Sequence, residues 1–289
     1  MCRVRFSVKS VMVTIGIVGA FTHVSILGYN KYFNEARCIA ALRDAGVIIM
    51  PRVTERLELS QEHLIVEIPG DRSIGLSTAL SLLRRVEGVQ HLIIRDWSDE
   101  EAIDLGGVAS LSDLEFVVLC GGRLKKVDIE FKDMRFLSRF MLVDVKLDGM
   151  NWIEAVPPSV DLEFEAMKVD VTNVLRAATP RKKLAIRYCE SRPRAPVTSP
   201  EMALMIHTVD LTGNEWVNDS FVEGMVGGSI VELYLGDTEI TNQAFGSLES
   251  MRSLRILGLW GLQRDVQIDR TAIREFNLVR PDVTVSIWP

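Results

Sequence analysis

Apolar residues recur after residue 76 as closely spaced pairs, in which one position separates the two members. Successive pairs begin 22 to 25 residues apart. The eight pairs are Leu92/Ile94, Val117/Leu119, Phe140/Leu142, Leu162/Phe164, Leu184/Ile186, Val209/Leu211, Leu233/Leu235 and Leu257/Leu259. A spacing of two predicts a short strand, and spacings of three or four between the pairs predict helical turns. The pattern therefore predicts a stack of similar units, each made of a strand, a turn, a helix and a return.

This pattern resembles the leucine-rich repeat family, whose L-x-x-L-x-L signature recurs about every 20 to 29 residues. The resemblance covers residues 76–289 and implies an α/β solenoid, with a parallel β ladder on its concave side and helices or turns on its convex side. The family usually has Asn or Cys five residues after the first member of each pair, where the side chain satisfies backbone groups of the turn. Cys189, Asn214 and Thr238 fit that role, and the other positions are occupied by Trp97, Gly122, Val145, Met167 and Leu262. We therefore expect an irregular ladder of turns.

An uncharged, apolar segment of 21 residues lies between Lys9 and Lys31. As a helix it would span about 30 Å, the thickness of the hydrocarbon core of a bilayer. We predict a transmembrane helix at 10–30, preceded by a short basic tail at 1–9. An uncleaved signal anchor is favoured over a cleaved signal peptide, because the small pair Gly19-Ala20 lies in mid-segment and apolar residues follow it. The basic tail favours an orientation that leaves the repeat domain outside the cytoplasm. The opening of the chain is similar to that of membrane-anchored bacterial leucine-rich repeat proteins.

Residues 31–75 are predicted to form a juxtamembrane helix and an N-terminal cap. Apolar residues at helical spacing end at Gly46, a normal helix stop, and an apolar strand that Pro51 closes follows. A second alternating run, at 63–70, predicts another strand. Such a cap would shield the open end of the solenoid.

Composition excludes some functions. The net charge is −6, from 33 basic and 39 acidic residues, so no nucleic-acid footprint is expected. The four cysteines show no C-x-x-C spacing, which argues against a zinc site or a disulfide framework. No H-E-x-x-H, G-x-S-x-G or phosphate-binding glycine loop is present in the sequence. We therefore expect a non-catalytic protein without a cofactor or a metal.

One predicted strand places three carboxylates on one face, at Asp161, Glu163 and Glu165. Such a group could bind a cation or act as paired acid and base. However, Lys183 and Arg187 hold equivalent positions on the next strand, which would lie about 4.8 Å away. Cross-strand ion pairs are therefore favoured over a metal site, and exposed pairs would contribute about 0.5 kcal/mol each.

The better functional signal is the concave face that the resemblance implies, because residues next to each pair would line it. Two apolar patches emerge there: Ile93, Phe116, Val118, Met141 and Val143 in the first, and Tyr234, Ile256 and Trp260 in the second. Exposed apolar patches often mark contact surfaces, and Trp and Tyr are favoured anchors. The alternative is that a flanking loop or the N-terminal cap covers them.

The sequence leaves three hypotheses for function. The first is a membrane-anchored leucine-rich repeat protein that binds another protein, or a cell-wall polymer, through its concave face. The second is a structural protein that organises the cell envelope by packing against neighbours. The third is a hydrolase that uses the acidic strand around Glu163.

Overall fold

The structure is a computed structural model that describes residues 34–51, 63–97, 108–124, 131, 134–149, 151–178, 180–190, 205–260 and 268–288. The predicted membrane segment at 10–30 and the basic tail at 1–9 lie outside these ranges. None of the helices within them combines the length and the apolar character needed to cross a membrane.

In the described residues, eleven strands form one sheet in the order β1-β2-β3-β4-β6-β8-β9-β10-β11-β12-β13. All neighbours are parallel except β1, which runs antiparallel to β2. The strands are β1 (Ile48–Pro51), β2 (Leu64–Ile68), β3 (Val89–Arg95), β4 (Phe116–Cys120), β5 (Arg123–Leu124), β6 (Arg139–Val143), β7 (Lys146–Leu147), β8 (Asp161–Glu165), β9 (Arg181–Arg187), β10 (Ile206–Asp210), β11 (Glu232–Tyr234), β12 (Ile256–Trp260) and β13 (Thr284–Trp288). The helices cover 34–44, Leu76–Leu83, Val171–Ala177, Asp219–Gly224, Ala244–Ser250 and Arg270–Val279, with a 3-10 helix at Asn151–Ala155. Strands β5 and β7 form a separate pair.

The predicted pairs set the register of the sheet. The first member of each pair lies directly opposite the first member of the next, in one row from Leu92 in β3 to Leu257 in β12. All eight first members are almost completely buried. They form one hydrophobic core with the buried side chains of the helices. The period-two pattern therefore predicted both the strands and their alignment.

The same row continues beyond the eight pairs at both ends. Val66 of β2 lies opposite Leu92, although residues 31–75 were predicted to form a juxtamembrane helix and a cap. At the other end, Val285 of β13 lies opposite Leu257. The helix at 34–44, the positive φ of Gly46 and strand β1 also follow the sequence prediction.

Seven of the eight pairs are followed by a left-handed residue, four positions after the first member of the pair, and the corresponding position of the eighth pair lies outside the described residues. These residues are Asp96, Gly121, Asp144, Ala166, Tyr188, Gly213 and Asp237. Their backbone N–H groups donate to carbonyl groups of the next repeat, with N···O distances of 2.8 to 3.0 Å. The hydrogen-bonded ladder thus continues past the strands into the turns. Glycine adopts this conformation without a steric cost, whereas a side chain with a Cβ is strained there.

One residue further along, the three predicted turn side chains are confirmed. The Asn214 amide donates to Ile186 O at 2.6 Å and to Leu211 O at 2.5 Å, and its oxygen accepts from the N–H of Cys189 at 2.8 Å. The Thr238 hydroxyl donates to Leu235 O at 2.8 Å. The Cys189 thiol donates to Arg187 O at 3.3 Å, and burial raises its pKa to about 11.

Two helices begin at polar side chains that cap them. The side chains of Asn218 and Asp269 accept hydrogen bonds from the N–H groups three residues later, at the starts of helices Asp219–Gly224 and Arg270–Val279.

Two arginine side chains donate hydrogen bonds to backbone carbonyl groups of the segments that precede them in the chain. Arg181 donates to four carbonyls between residues 153 and 160, and Arg280 donates to four between residues 248 and 254. Burial lowers the pKa of Arg181 to about 10, so it remains charged at neutral pH.

Candidate protein-binding face

Side chains next to the pairs point away from the helices and form the open face of the sheet, which is the face that the family resemblance implies to be concave. Three sections differ in chemistry. We call them the apolar section (Ile93, Phe116, Val118, Met141 and Val143), the ionic section (Asp161, Glu163, Glu165, Lys183, Arg187 and Asp210) and the aromatic section (Glu232, Tyr234, Ile256 and Trp260).

The apolar section is contiguous, because Ile93, Val118 and Met141 lie opposite one another on β3, β4 and β6. The expected exposure is wrong for Val118, which is only 8% exposed because larger side chains flank it in the same row. Phe116 is half-buried, and the guanidinium group of Arg139 lies over its ring, 5.2 Å from the centroid. The Arg139 guanidinium group therefore already occupies one face of the Phe116 ring.

The ionic section confirms the predicted cross-strand pairs and corrects their predicted exposure. Glu163 is only 4% exposed and lies 2.9 Å from Lys183 Nζ, 3.3 Å from Arg139 Nε and 3.4 Å from an Arg187 nitrogen. Long basic side chains from β6 and β9 converge on this carboxylate and exclude water from it. Since Glu163 is buried, removal of one partner from these contacts should cost more than the loss of an exposed ion pair.

The network extends from Glu163 into β10. Arg187 donates to Asp210 Oδ2 at 2.7 Å, and Asp210 Oδ1 accepts from the Thr212 hydroxyl at 2.7 Å. Burial raises the pKa of the Asp161 carboxyl at the edge of the network, although Lys183 and other cations oppose the shift. The acidic strand is therefore held mainly by the chain's own cations, which favours a structural role for Glu163 over a catalytic one. In the described part of the chain, no group of three His, Cys, Asp or Glu side chains has an arrangement that could hold a metal ion.

The aromatic section places two half-buried rings side by side. The centroids of Tyr234 and Trp260 are 5.5 Å apart, and their planes are inclined at 43°. Ile256, also half-buried, lies on the same face of the sheet, opposite Glu232. The Tyr234 hydroxyl donates to Glu232 Oε2 at 3.3 Å, and burial together with this carboxylate raises the pKa of Tyr234.

Two glycines create the space that the rings occupy. A Cβ added at Gly236 would overlap the indole ring of Trp260, and one added at Gly258 would overlap the Tyr234 ring and lie 2.5 Å from Trp260 Cζ3. Both rings therefore lie close against the sheet backbone. The sequence identified Tyr234 and Trp260 as candidate anchors and placed Glu232 and the two glycines on the same face, but it did not indicate what these three residues do. The signal for this packing in the sequence is a glycine at an open-face position next to an aromatic residue.

In the described chain, parallel strands repeat at a regular step, each strand buries an apolar pair, and helices or turns connect the strands. This is a leucine-rich-repeat-like α/β fold. Similar solved structures include a leucine-rich repeat protein of Leptospira interrogans, which is 13% identical, with coverage of 72% of this chain and 62% of that chain and a TM-score of 0.37. An internalin of Listeria monocytogenes is 12% identical, with coverage of 78% and 82% and a TM-score of 0.37.

The chain thus spans less than two thirds of the length of the Leptospira protein. No protein-family model matches the sequence, and no curated protein matches it.

Proposed function

We propose that this protein binds another protein through the open face of its ladder, without catalysis and without a cofactor. The aromatic section is the observation that carries the proposal. Tyr234 and Trp260 present large, partly exposed rings beside Ile256, and all three project from strands of a regular sheet. Aromatic anchors of this kind supply much of the binding energy at protein interfaces.

The rigidity of the rings supports the proposal. Since each ring packs against backbone at a glycine, little side-chain freedom remains to be lost on binding. Apolar surface held in place before the partner arrives contributes more net affinity than mobile surface does. The apolar section offers a second surface on the same face, although Val118 contributes little area to it.

We propose further that residues 10–30 anchor the protein in a membrane as a single span, with the repeats outside the cytoplasm. The uncharged apolar segment and the basic tail before it support this arrangement. The full-length protein should then stay in the membrane fraction after washing with alkaline carbonate. Release into the soluble fraction would indicate a cleaved signal peptide instead.

Capture of partners from a cell-envelope extract tests the binding proposal. The full chain is compared with a Tyr234→Ala, Trp260→Ala variant whose melting temperature is unchanged. The double variant should capture about tenfold less partner than the parent chain does. A Phe136→Ala variant is the matched control, because Phe136 is an exposed aromatic residue that precedes β6 and lies outside the open face.

The outcomes separate the candidate surfaces. Equal capture by the parent and the double variant would move the binding site from the aromatic section to the apolar section. Loss of capture only in the control would place the site outside the open face. Metal-dependent turnover that disappears in Glu163→Gln would contradict the non-catalytic proposal.

A structural role in the envelope is the second candidate, and one observation favours it. Leu278, Val279 and Ile287 are 77%, 59% and 51% exposed in the last described helix and strand. Apolar surface at this end of the sheet is suited to packing against a neighbour. Chemical cross-linking in membranes tests this role. A Leu278→Ser, Ile287→Ser variant should lose cross-linked assemblies, whereas the Tyr234→Ala, Trp260→Ala variant should keep them.

A further inference from the structure

The electrostatic character of the open face changes along the ladder. In β10 to β12, the open-face positions include the carboxylates of Asp210 and Glu232 and no Lys, Arg or His. Asp210 is buried and is held by Arg187 and Thr212. Glu232 is only half-buried and lies beside Tyr234. Of these two carboxylates, Glu232 is therefore the one that a partner can reach next to the aromatic pair.

The Glu232 carboxylate is held in a defined position. Its Oε2 accepts from the Thr208 hydroxyl at 3.2 Å and from the Tyr234 hydroxyl at 3.3 Å. Two hydroxyl donors from adjacent strands therefore fix a negative charge at the edge of the aromatic pair. A ring face together with a fixed carboxylate is suited to a flat cation, which stacks on the ring and pairs at its edge.

The same molecule already contains this arrangement where the apolar and ionic sections meet. There the guanidinium group of Arg139 lies 5.2 Å from the centroid of Phe116, and its Nε lies 3.3 Å from a Glu163 oxygen. The aromatic section offers the ring and the carboxylate, and its open-face positions supply no cation of their own. A cation from a partner would complete it.

We infer that the partner presents an arginine side chain, which stacks on the Tyr234–Trp260 pair and forms an ion pair with Glu232. The inference rests on the proposed function, because it specifies which group the protein partner brings to the aromatic section. Arginine fits better than lysine. Its planar guanidinium stacks on aromatic faces and matches a carboxylate with two parallel donors, whereas an ammonium is compact and strongly hydrated.

The test uses the full chain and three small probes at constant ionic strength: N-acetyl-arginine amide, N-acetyl-lysine amide and N-acetyl-citrulline amide. Citrulline keeps the planar shape of arginine and lacks its charge. Binding is followed through the indole N–H resonance of Trp260, which is assigned by its disappearance in Trp260→Phe. Glu232→Gln is compared with Glu165→Gln, the same exchange on the open face of β8.

The arginine probe should shift the Trp260 resonance and reach saturation, and citrulline should bind about tenfold more weakly. The lysine probe should fall between them. Glu232→Gln should weaken arginine binding by about tenfold, and Glu165→Gln should leave it unchanged. Citrulline or lysine binding as tightly as arginine would overturn the inference, as would equal behaviour of the two variants or no saturable shift.

Failure of this inference is distinguishable from failure of the proposed function. If partner capture depends on Tyr234 and Trp260 but the arginine probe does not bind, the face still binds a protein and the recognised group is a different one. If capture does not depend on the two rings, the proposed binding site itself is wrong.

Discussion

Three turns in the N-terminal half of the ladder, from β3 to β8, bury a largely apolar side chain at Trp97, Val145 or Met167, and the Trp97 indole N–H also donates to Arg123 O at 3.2 Å. In the C-terminal half, from β9 to β12, side-chain hydrogen bonds hold the same turn position, most extensively at Asn214. The backbone follows the same path in both halves, but different kinds of side chain stabilise its turns. A buried apolar residue fills volume, whereas Asn214 replaces the hydrogen bonds that its turn would otherwise lack.

The open face differs between the halves in a parallel way. In the N-terminal half, Arg139 lies over the Phe116 ring and pairs with Glu163, so the ring and the carboxylate share a cation from the same chain. In the C-terminal half, Tyr234 and Trp260 lie beside Glu232 without a basic residue at the neighbouring open-face positions. The first arrangement stabilises the fold, and the second is the surface at which we propose that a partner binds.

The largest expected effect comes from placing the same residue at one turn position in each half. Asn214→Leu should lower the free energy of unfolding by about 3 kcal/mol, because it leaves the N–H of Cys189 and the carbonyls of Ile186 and Leu211 without their partner. Met167→Leu should cost less than about 1.5 kcal/mol, because it exchanges one buried apolar side chain for another. Urea unfolding measures both. Equal losses would show that the turns of the two halves are stabilised in the same way.

An intermediate effect is expected in the ionic section, where the halves meet. Glu163→Gln should cost about 2 kcal/mol, because it removes a buried charge that Arg139, Lys183 and Arg187 contact. Glu165→Gln is the control, since Glu165 is one-third exposed and its contact with Arg187 is 3.8 Å long. The control should change the free energy of unfolding by less than about 0.5 kcal/mol. A Glu163 variant as stable as its control would mean that burial of the charge cancels the benefit of its ion pairs.

The sequence predicted the fold well because its information is local. A spacing of two at each pair specifies a strand with one buried face, so the register from Leu92 to Leu257 followed directly. Cap residues such as Asn218 are likewise recognisable from their neighbours in sequence. The continuation of the row into β2 was missed, because Val66 and Ile68 were assigned to a cap rather than to a further repeat.

The candidate site was predicted less completely, because its properties depend on side chains from adjacent strands. Glu163 looked exposed from its position in the strand, and it is buried because basic side chains from β6 and β9 reach over it. Val118 is buried in the same way by its neighbours in the row. The space that Gly236 and Gly258 leave for the aromatic rings also becomes visible only when β11 and β12 lie side by side.

The smallest expected effect concerns the left-handed strand exit, a feature that both halves share. Ala166 adopts φ of 53° in the N-terminal half, and its exposed side chain makes little contact that could offset the strain. Ala166→Gly should therefore raise the free energy of unfolding by about 0.5 to 1 kcal/mol. Ala40→Gly, at an exposed position inside the helix at 34–44, is the matched control and should lower it by a similar amount, because glycine is a poor helix former. Urea unfolding of both variants should give shifts of opposite sign. A loss of stability in Ala166→Gly would mean that the entropy of the unfolded chain outweighs the strain at this exit, so that a Cβ is tolerated in the turn at little cost.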